Sequence, residues 1–133
     1  MDCIFCKIAA GEVPAHKVYE DDQVVAFLDV SPWTKGHTLI LPKSHHLDLL
    51  DTPDEIVAKI AVLAKDLAIN YKPTLQVDGF NILNNCGEPA GQEVMHYHLH
   101  LIPRYKDSDF SIETKNKAKD IDLAEVAADL RND

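Results

Sequence analysis

The run His96-Tyr97-His98-Leu99-His100-Leu101-Ile102 alternates imidazole and apolar side chains. A period of two belongs to a β-strand, in which residues two apart lie roughly 6.7 Å from each other on one face. A strand over 96–103 therefore turns Tyr97, Leu99 and Leu101 into a core and aims His96, His98, His100 and Ile102 at the opposite face. A slip of one residue would exchange the two sets, so the apolar side chains fix the register. A lone histidine is more often a satisfied structural residue, which is the reading for His16 and His46. Three at alternate positions, in a chain with 7 histidines among 133 residues, point to a shared site.

Working outward, Phe80-Asn81-Ile82-Leu83 reads as a second strand, joined to the first by a glycine-containing loop at 84–92. Upstream, Thr52-Pro53-Asp54-Glu55 offers an N-cap, a proline at the first helical position and a glutamate at the third. Ile56, Ile60, Leu63, Leu67 and Tyr71 follow at helical spacing, which predicts a helix over 53–71 that Pro73 ends. Lys17–Glu20 and Val24–Leu28 are β-rich runs around Asp21-Asp22-Gln23 and predict a hairpin. Thr38-Leu39-Ile40-Leu41, between Gly36 and Pro42, adds a third strand. Together these give an α+β fold with a five-stranded antiparallel sheet, one long helix and short terminal helices, the last over 121–130. With no domain boundary visible, the chain reads as one domain over 1–133, with a tail at 104–133.

The chain has 46% hydrophobic and 26% charged residues, a globular composition. Its apolar stretches are far shorter than the roughly 18–20 residues that cross a membrane, and the N-terminus lacks the build of a signal peptide, so a membrane partner is not expected and the location expected is cytoplasmic. A net charge of −9 repels a nucleic-acid polymer but allows one phosphate held by backbone N–H groups and neutral side chains. Three cysteines include the pair Cys3 and Cys6 in a C-x-x-C, which in a reducing compartment reads as metal or redox chemistry. Cys86 reads as an ordinary small residue.

The run from His96 to Ile102 matches His-φ-His-φ-His-φ-φ, with φ apolar, and on it the chain resembles the histidine triad (HIT) family. The resemblance extends over Cys3-Ile4-Phe5-Cys6-Lys7-Ile8, Phe27-Leu28-Asp29, Lys35-Gly36-His37, Pro42-Lys43-Ser44-His45 and Gly91-Gln92, about residues 3–105. It is strongest to the bacterial HIT proteins and the related nucleotide-binding phosphoramidases. The resemblance implies a HIT-like fold, a homodimer and a purine nucleotide ligand with an AMP or GMP moiety. It implies cleavage at the α-phosphorus of phosphoramidates or dinucleoside polyphosphates through a nucleotidyl-histidine intermediate on His98. By the same resemblance His98, His100 and Gln92 are catalytic; Asn85, Gly91, Gln92 and His100 hold the phosphate, His98 meets its phosphorus, Asp29 binds the ribose, and Ile8 and Phe27 line the base pocket. Read from the residues, the loop's glycines permit backbone N–H groups to converge on a phosphate, while Asp29 alone is ordinary turn chemistry.

The resemblance also pairs Cys3 and Cys6 with His45, rather than its neighbour His46, and with His96. Such a Cys₂His₂ set is closed and implies a structural zinc. One departure stands out, for the phosphoramidases carry a serine where this chain has Glu93. Two alternatives compete with the hydrolase: a three-histidine catalytic zinc on His96, His98 and His100, and a nucleotide sensor without enzymatic activity.

Overall fold

A computed structural model of the chain describes residues 3–106, 111 and 120–131. The chain opens with helix α1 (Ile4–Ala9), the hairpin of β1 (Lys17–Glu20) and β2 (Val24–Leu28), and β3 (Thr38–Pro42). Helix α2 (Asp54–Leu75), β4 (Gly79–Leu83), β5 (Leu99–Arg104) and α3 (Leu123–Arg131) follow. The five strands form one antiparallel sheet in the order β1-β2-β3-β5-β4.

β2 and β3 are buried along nearly their whole length, VVAFL and TLILP, because the sheet is covered on both faces. On one face Val24, Ala26, Ile40, Tyr97, Leu99 and Leu101 pack against Ile56, Ile60, Leu63, Leu67 and Tyr71 of α2. On the other, Val25, Phe27, Leu39 and Leu41 pack against Cys3, Phe5 and Ile8 of α1 and its approach. The histidine face therefore looks under a short helix, and His96 and His98 are themselves buried.

Three boundaries differ from the sequence reading. Regular pairing of the triad strand starts at Leu99 and ends at Arg104, not over 96–103, so His96 and His98 lie on the approach to β5. Tyr97 is tied there by its N–H to the His46 carbonyl rather than by a sheet neighbour. Helix α2 runs through Pro73 to Leu75 and ends where Gln76 turns left-handed at φ 56°. A proline in the final turn forgoes one bond of a ladder already fraying there. Thr52 does not cap α2: its hydroxyl donates to the Asp48 carbonyl, and Pro53 takes the N-cap position.

Gly36 has φ +94°, and a side chain there would meet Leu75 and Pro103, so only glycine lets the loop before β3 close against α2 and β5. That loop carries His37 to the triad. The β4 edge has one sheet neighbour and an exposed Ile82. Among the described residues no helix is long and apolar enough to cross a membrane.

Candidate active site and metal cradle

Backbone groups decide which nitrogen of each histidine carries the proton. His96 Nε2 lies 2.8 Å from the Pro42 carbonyl, which can only accept, so Nε2 is the N–H and Nδ1 keeps its lone pair. That lone pair faces Cys3 Sγ at 3.4 Å, Cys6 Sγ at 3.5 Å and His45 Nδ1 at 3.2 Å, with Cys6 Sγ 3.3 Å from His45 Nδ1. The four donor atoms all lie within 4.8 Å of one another. Bonds of about 2.0–2.3 Å to a tetrahedral zinc place ligand atoms roughly 3.3–3.8 Å apart, so the spacing and the two-sulfur, two-nitrogen chemistry fit a closed metal site. His46 stays outside, its Nε2 2.8 Å from the Ser44 hydroxyl. Burial and the neighbouring Cys3 raise the Cys6 thiol to about 11, and a bound dication would reverse that shift.

Cys3 has a second task. Its sulfur accepts the Cys6 N–H at 3.3 Å and caps α1, the helix that sets Phe5 edge-on to His96 and His98, with ring centroids 6.0 and 5.0 Å away.

Two residues after His96 the protonation pattern inverts. His98 Nδ1 donates to the His96 carbonyl at 2.7 Å, which leaves the lone pair on Nε2. His98 lines a cavity of about 530 Å³. Burial pushes its pKa below the ordinary imidazole value, against the opposing pull of the His96 carbonyl, Asp29 and Glu93. A buried ring held neutral with one lone pair free is a nucleophile at neutral pH.

His100 is set from further away. The Trp33 N–H donates to His37 Nδ1 at 3.1 Å, so neutral His37 carries its proton on Nε2, which meets His100 Nδ1 at 3.0 Å. His100 Nε2 is then the N–H, a donor suited to an anionic oxygen. Burial, then His98 and His37, push His100 down to about 4, while burial lowers His37. His37 lies 63 residues from His100 in sequence, and strand pairing brings the two together, since Leu39 faces His100 in the sheet. Phe5 and Trp33, which also line the cavity, went unread as site residues.

The other expected residues divide. Ile8, Phe27, Asp29, Asn85 and Gly91 line the same cavity as His98 and His100. Asp29 Oδ1 accepts the Ser31 N–H at 2.8 Å as a turn residue does, and Oδ2 lies 3.6 Å from His37 Nε2. Gln92, expected to contact the phosphate, has its side chain bonded within the protein. It is 4% exposed, its amide donates to the Leu47 and Val94 carbonyls, and its Oε1 accepts the Gly87 N–H. It holds the loop's shape and is absent from the cavity wall. The glycine N–H groups are likewise engaged inside the loop, Gly87 with Gln92 and Gly91 with the Glu88 carbonyl.

The three-histidine metal centre fails on geometry. Among the described residues no group of clustered donor atoms joins His96, His98 and His100, and the Nδ1 proton of His98 is committed to a carbonyl.

A family model described as the HIT domain matches residues 10–107. The chain belongs to the histidine triad (HIT) family. It is similar to a solved HIT family protein from Bacillus anthracis, 44% identical with a TM-score of 0.90, covering 98% of this chain and 96% of that one. A zinc-bound histidine triad family protein from Mycobacterium smegmatis is 42% identical with a TM-score of 0.80, covering 88% of this chain and 85% of that one. A histidine triad nucleotide-binding protein from Candida albicans is 34% identical with a TM-score of 0.86, covering 98% of this chain and 96% of that one. Within the HIT fold, the inverted tautomers of His96 and His98 leave the Nδ1 lone pair of one facing Cys3, Cys6 and His45 and the Nε2 lone pair of the other unprotonated.

Proposed function

We propose that this HIT protein is a cytoplasmic nucleotide-binding hydrolase, acting at the α-phosphorus of purine nucleoside phosphoramidates or dinucleoside polyphosphates. The carrying observation is the His98 ring, its Nδ1 proton fixed on the His96 carbonyl at 2.7 Å and its other nitrogen unprotonated beside the 530 Å³ cavity. The Candida albicans relative's name, a nucleotide-binding protein, supports the ligand class.

In this reading the base lies among Ile8, Phe27 and Phe5, and the ribose hydroxyls donate to Asp29. His98 Nε2 attacks phosphorus, the bond to the leaving group breaks, and that group leaves with the electron pair and takes a proton from solvent. Water then attacks the nucleotidyl-imidazole, releasing the nucleoside monophosphate and returning the lone pair to Nε2. His100 Nε2–H donates to the phosphoryl oxygens as their charge grows. Asn85 and Gly91 flank the phosphate, with Gln92 acting on it only through the loop that it braces.

Cys3, Cys6, His45 and His96 would hold a zinc whose closed coordination gives structure rather than chemistry. The name of the Mycobacterium smegmatis relative supports that metal. We further read the chain as one domain and as a homodimer, joined through the β4 edge and the exposed apolar residues Val62 and Ile69 of α2.

The test is a substrate screen that follows AMP or GMP release from phosphoramidates and dinucleoside polyphosphates, with His98→Ala as the blank. Release by the wild type and none by the variant is the expected result. Tight nucleotide binding without release from any substrate would overturn the hydrolase in favour of a sensor.

A further inference from the structure

Beside the cavity that holds His98 lies a second hollow of about 450 Å³, lined by Cys3, His45, Leu47, Ile4, Glu93, Val94 and Met95. Ile4, Glu93 and Val94 belong to both walls, so Glu93 stands where the two hollows meet. Asp29 and Glu93 are the carboxylates of the two walls, and neither wall contains a lysine or arginine among the described residues. Asp29 is engaged at the nucleoside end by Ser31 and His37. Glu93 is exposed, and among the described residues it makes no hydrogen bond or ion pair. Its charge reaches the nucleophile, since it is one of the groups that resist the lowering of the His98 pKa.

With a nucleotide base against Ile8 and Phe27 in the first hollow, the second hollow adjoins the site at Ile4, Glu93 and Val94 and offers room for the group that departs from phosphorus. A polyphosphate leaving group would bring several negative charges to a wall that offers it a carboxylate and no lysine or arginine, and a zinc held by two thiolates and two neutral imidazoles beside it would add no net charge. The chain's net charge of −9 adds to that repulsion. An alkyl chain ending in an ammonium meets apolar contact from Leu47, Val94 and Met95 and an unpaired carboxylate.

We propose that Glu93 is the specificity-determining residue for the departing group, and that the second hollow is a subsite for a cationic, amine-bearing leaving group in preference to an anionic polyphosphate. This rests on the reading of hydrolysis at His98 given above.

The test compares three substrates of one nucleotide: an aminoalkyl phosphoramidate ending in an ammonium, its uncharged alkyl counterpart, and diadenosine tetraphosphate. kcat/KM is measured for the wild type, Glu93→Gln and Glu93→Asp. Ratios between substrates within one protein cancel any loss of folded material. The wild type is expected to favour the ammonium over the neutral chain by about fivefold, a preference that Glu93→Asp keeps and Glu93→Gln loses. Glu93→Gln should also raise the tetraphosphate relative to the neutral chain by about tenfold. Unchanged ratios in Glu93→Gln, or a wild type that prefers the tetraphosphate, would overturn the proposal while leaving the hydrolase intact. Failure of all three proteins to release AMP from any substrate overturns the hydrolase reading itself, and the subsite with it.

Discussion

His96 and His98 are the same residue type, two positions apart, both buried, and each gives one ring proton to a backbone carbonyl. They differ in which nitrogen gives it. Pro42 takes the Nε2 proton of His96 and turns its Nδ1 lone pair toward two thiols and His45. The His96 carbonyl takes the Nδ1 proton of His98 and leaves Nε2 toward the cavity. A histidine's function here follows from the acceptor placed behind it, and the period-two pattern alone cannot express that. The two regions are also joined, because His96, which faces the cysteine cradle, supplies the carbonyl that orients the proposed nucleophile, His98.

The largest effect separates the regions outright. His98→Ala should lower kcat for AMP release by at least about a thousandfold while bound zinc, measured by elemental analysis, stays at the wild-type level. Loss of both together would return the chemistry to a metal. The reciprocal change, Cys3→Ala, should remove the zinc and lower the apparent melting temperature by about 10 °C. Because that sulfur also caps α1, which carries Phe5 to the nucleophile, kcat should fall indirectly. Added zinc should restore neither.

A smaller effect probes the long-range setting of His100. His37→Phe removes the Nε2–H that meets His100 Nδ1 and should lower kcat about tenfold with little change in KM, since the donor to the phosphoryl group loses its fixed tautomer. An equal rise in KM with kcat unchanged would assign His37 to binding alone.

The smallest effect is in the pH dependence. Burial keeps the pKa of His98 and His100 below the ordinary imidazole value of about 6.5, that of His100 at about 4, so both stay neutral in the folded protein at neutral pH. Turnover should therefore hold steady as pH falls from 8 to about 6.5 and decline only on further acidification. The unfolded chain binds protons near pH 6.5 and the folded one resists them, so the His100 contribution to stability is fully present above 6.5 and is lost as pH drops toward 4. Melting temperatures across that window in His100→Gln, compared with wild type, would show the variant with the shallower acid slope.

Much of this was legible from the sequence because period, turn residues and apolar spacing are local. The hairpin at β1 and β2, the faces of β5 and the long helix follow from such patterns. What escaped was set by distant partners. His37 is 63 residues from His100, and only the pairing of β3 with β5 brings them to 3.0 Å. Gln92 was expected at the phosphate on the family resemblance, and its side-chain amide is engaged by Gly87 and Val94 nearby and by the Leu47 carbonyl, 45 residues away. Thr52 and Pro73 carried strong local signals, and tertiary context overrode both: the hydroxyl found the Asp48 carbonyl, and α2 continued two residues past the proline.

The central claim is that two neighbouring histidines carry opposite free nitrogens for separate tasks. Its most direct measurement is a single-turnover reaction quenched in base, with native mass and peptide-level mapping of the product. The account predicts one nucleotidyl group on His98 of protein that still holds its zinc. A nucleotidyl group on His96, or turnover through a zinc-bound protein with no covalent adduct at all, would contradict it.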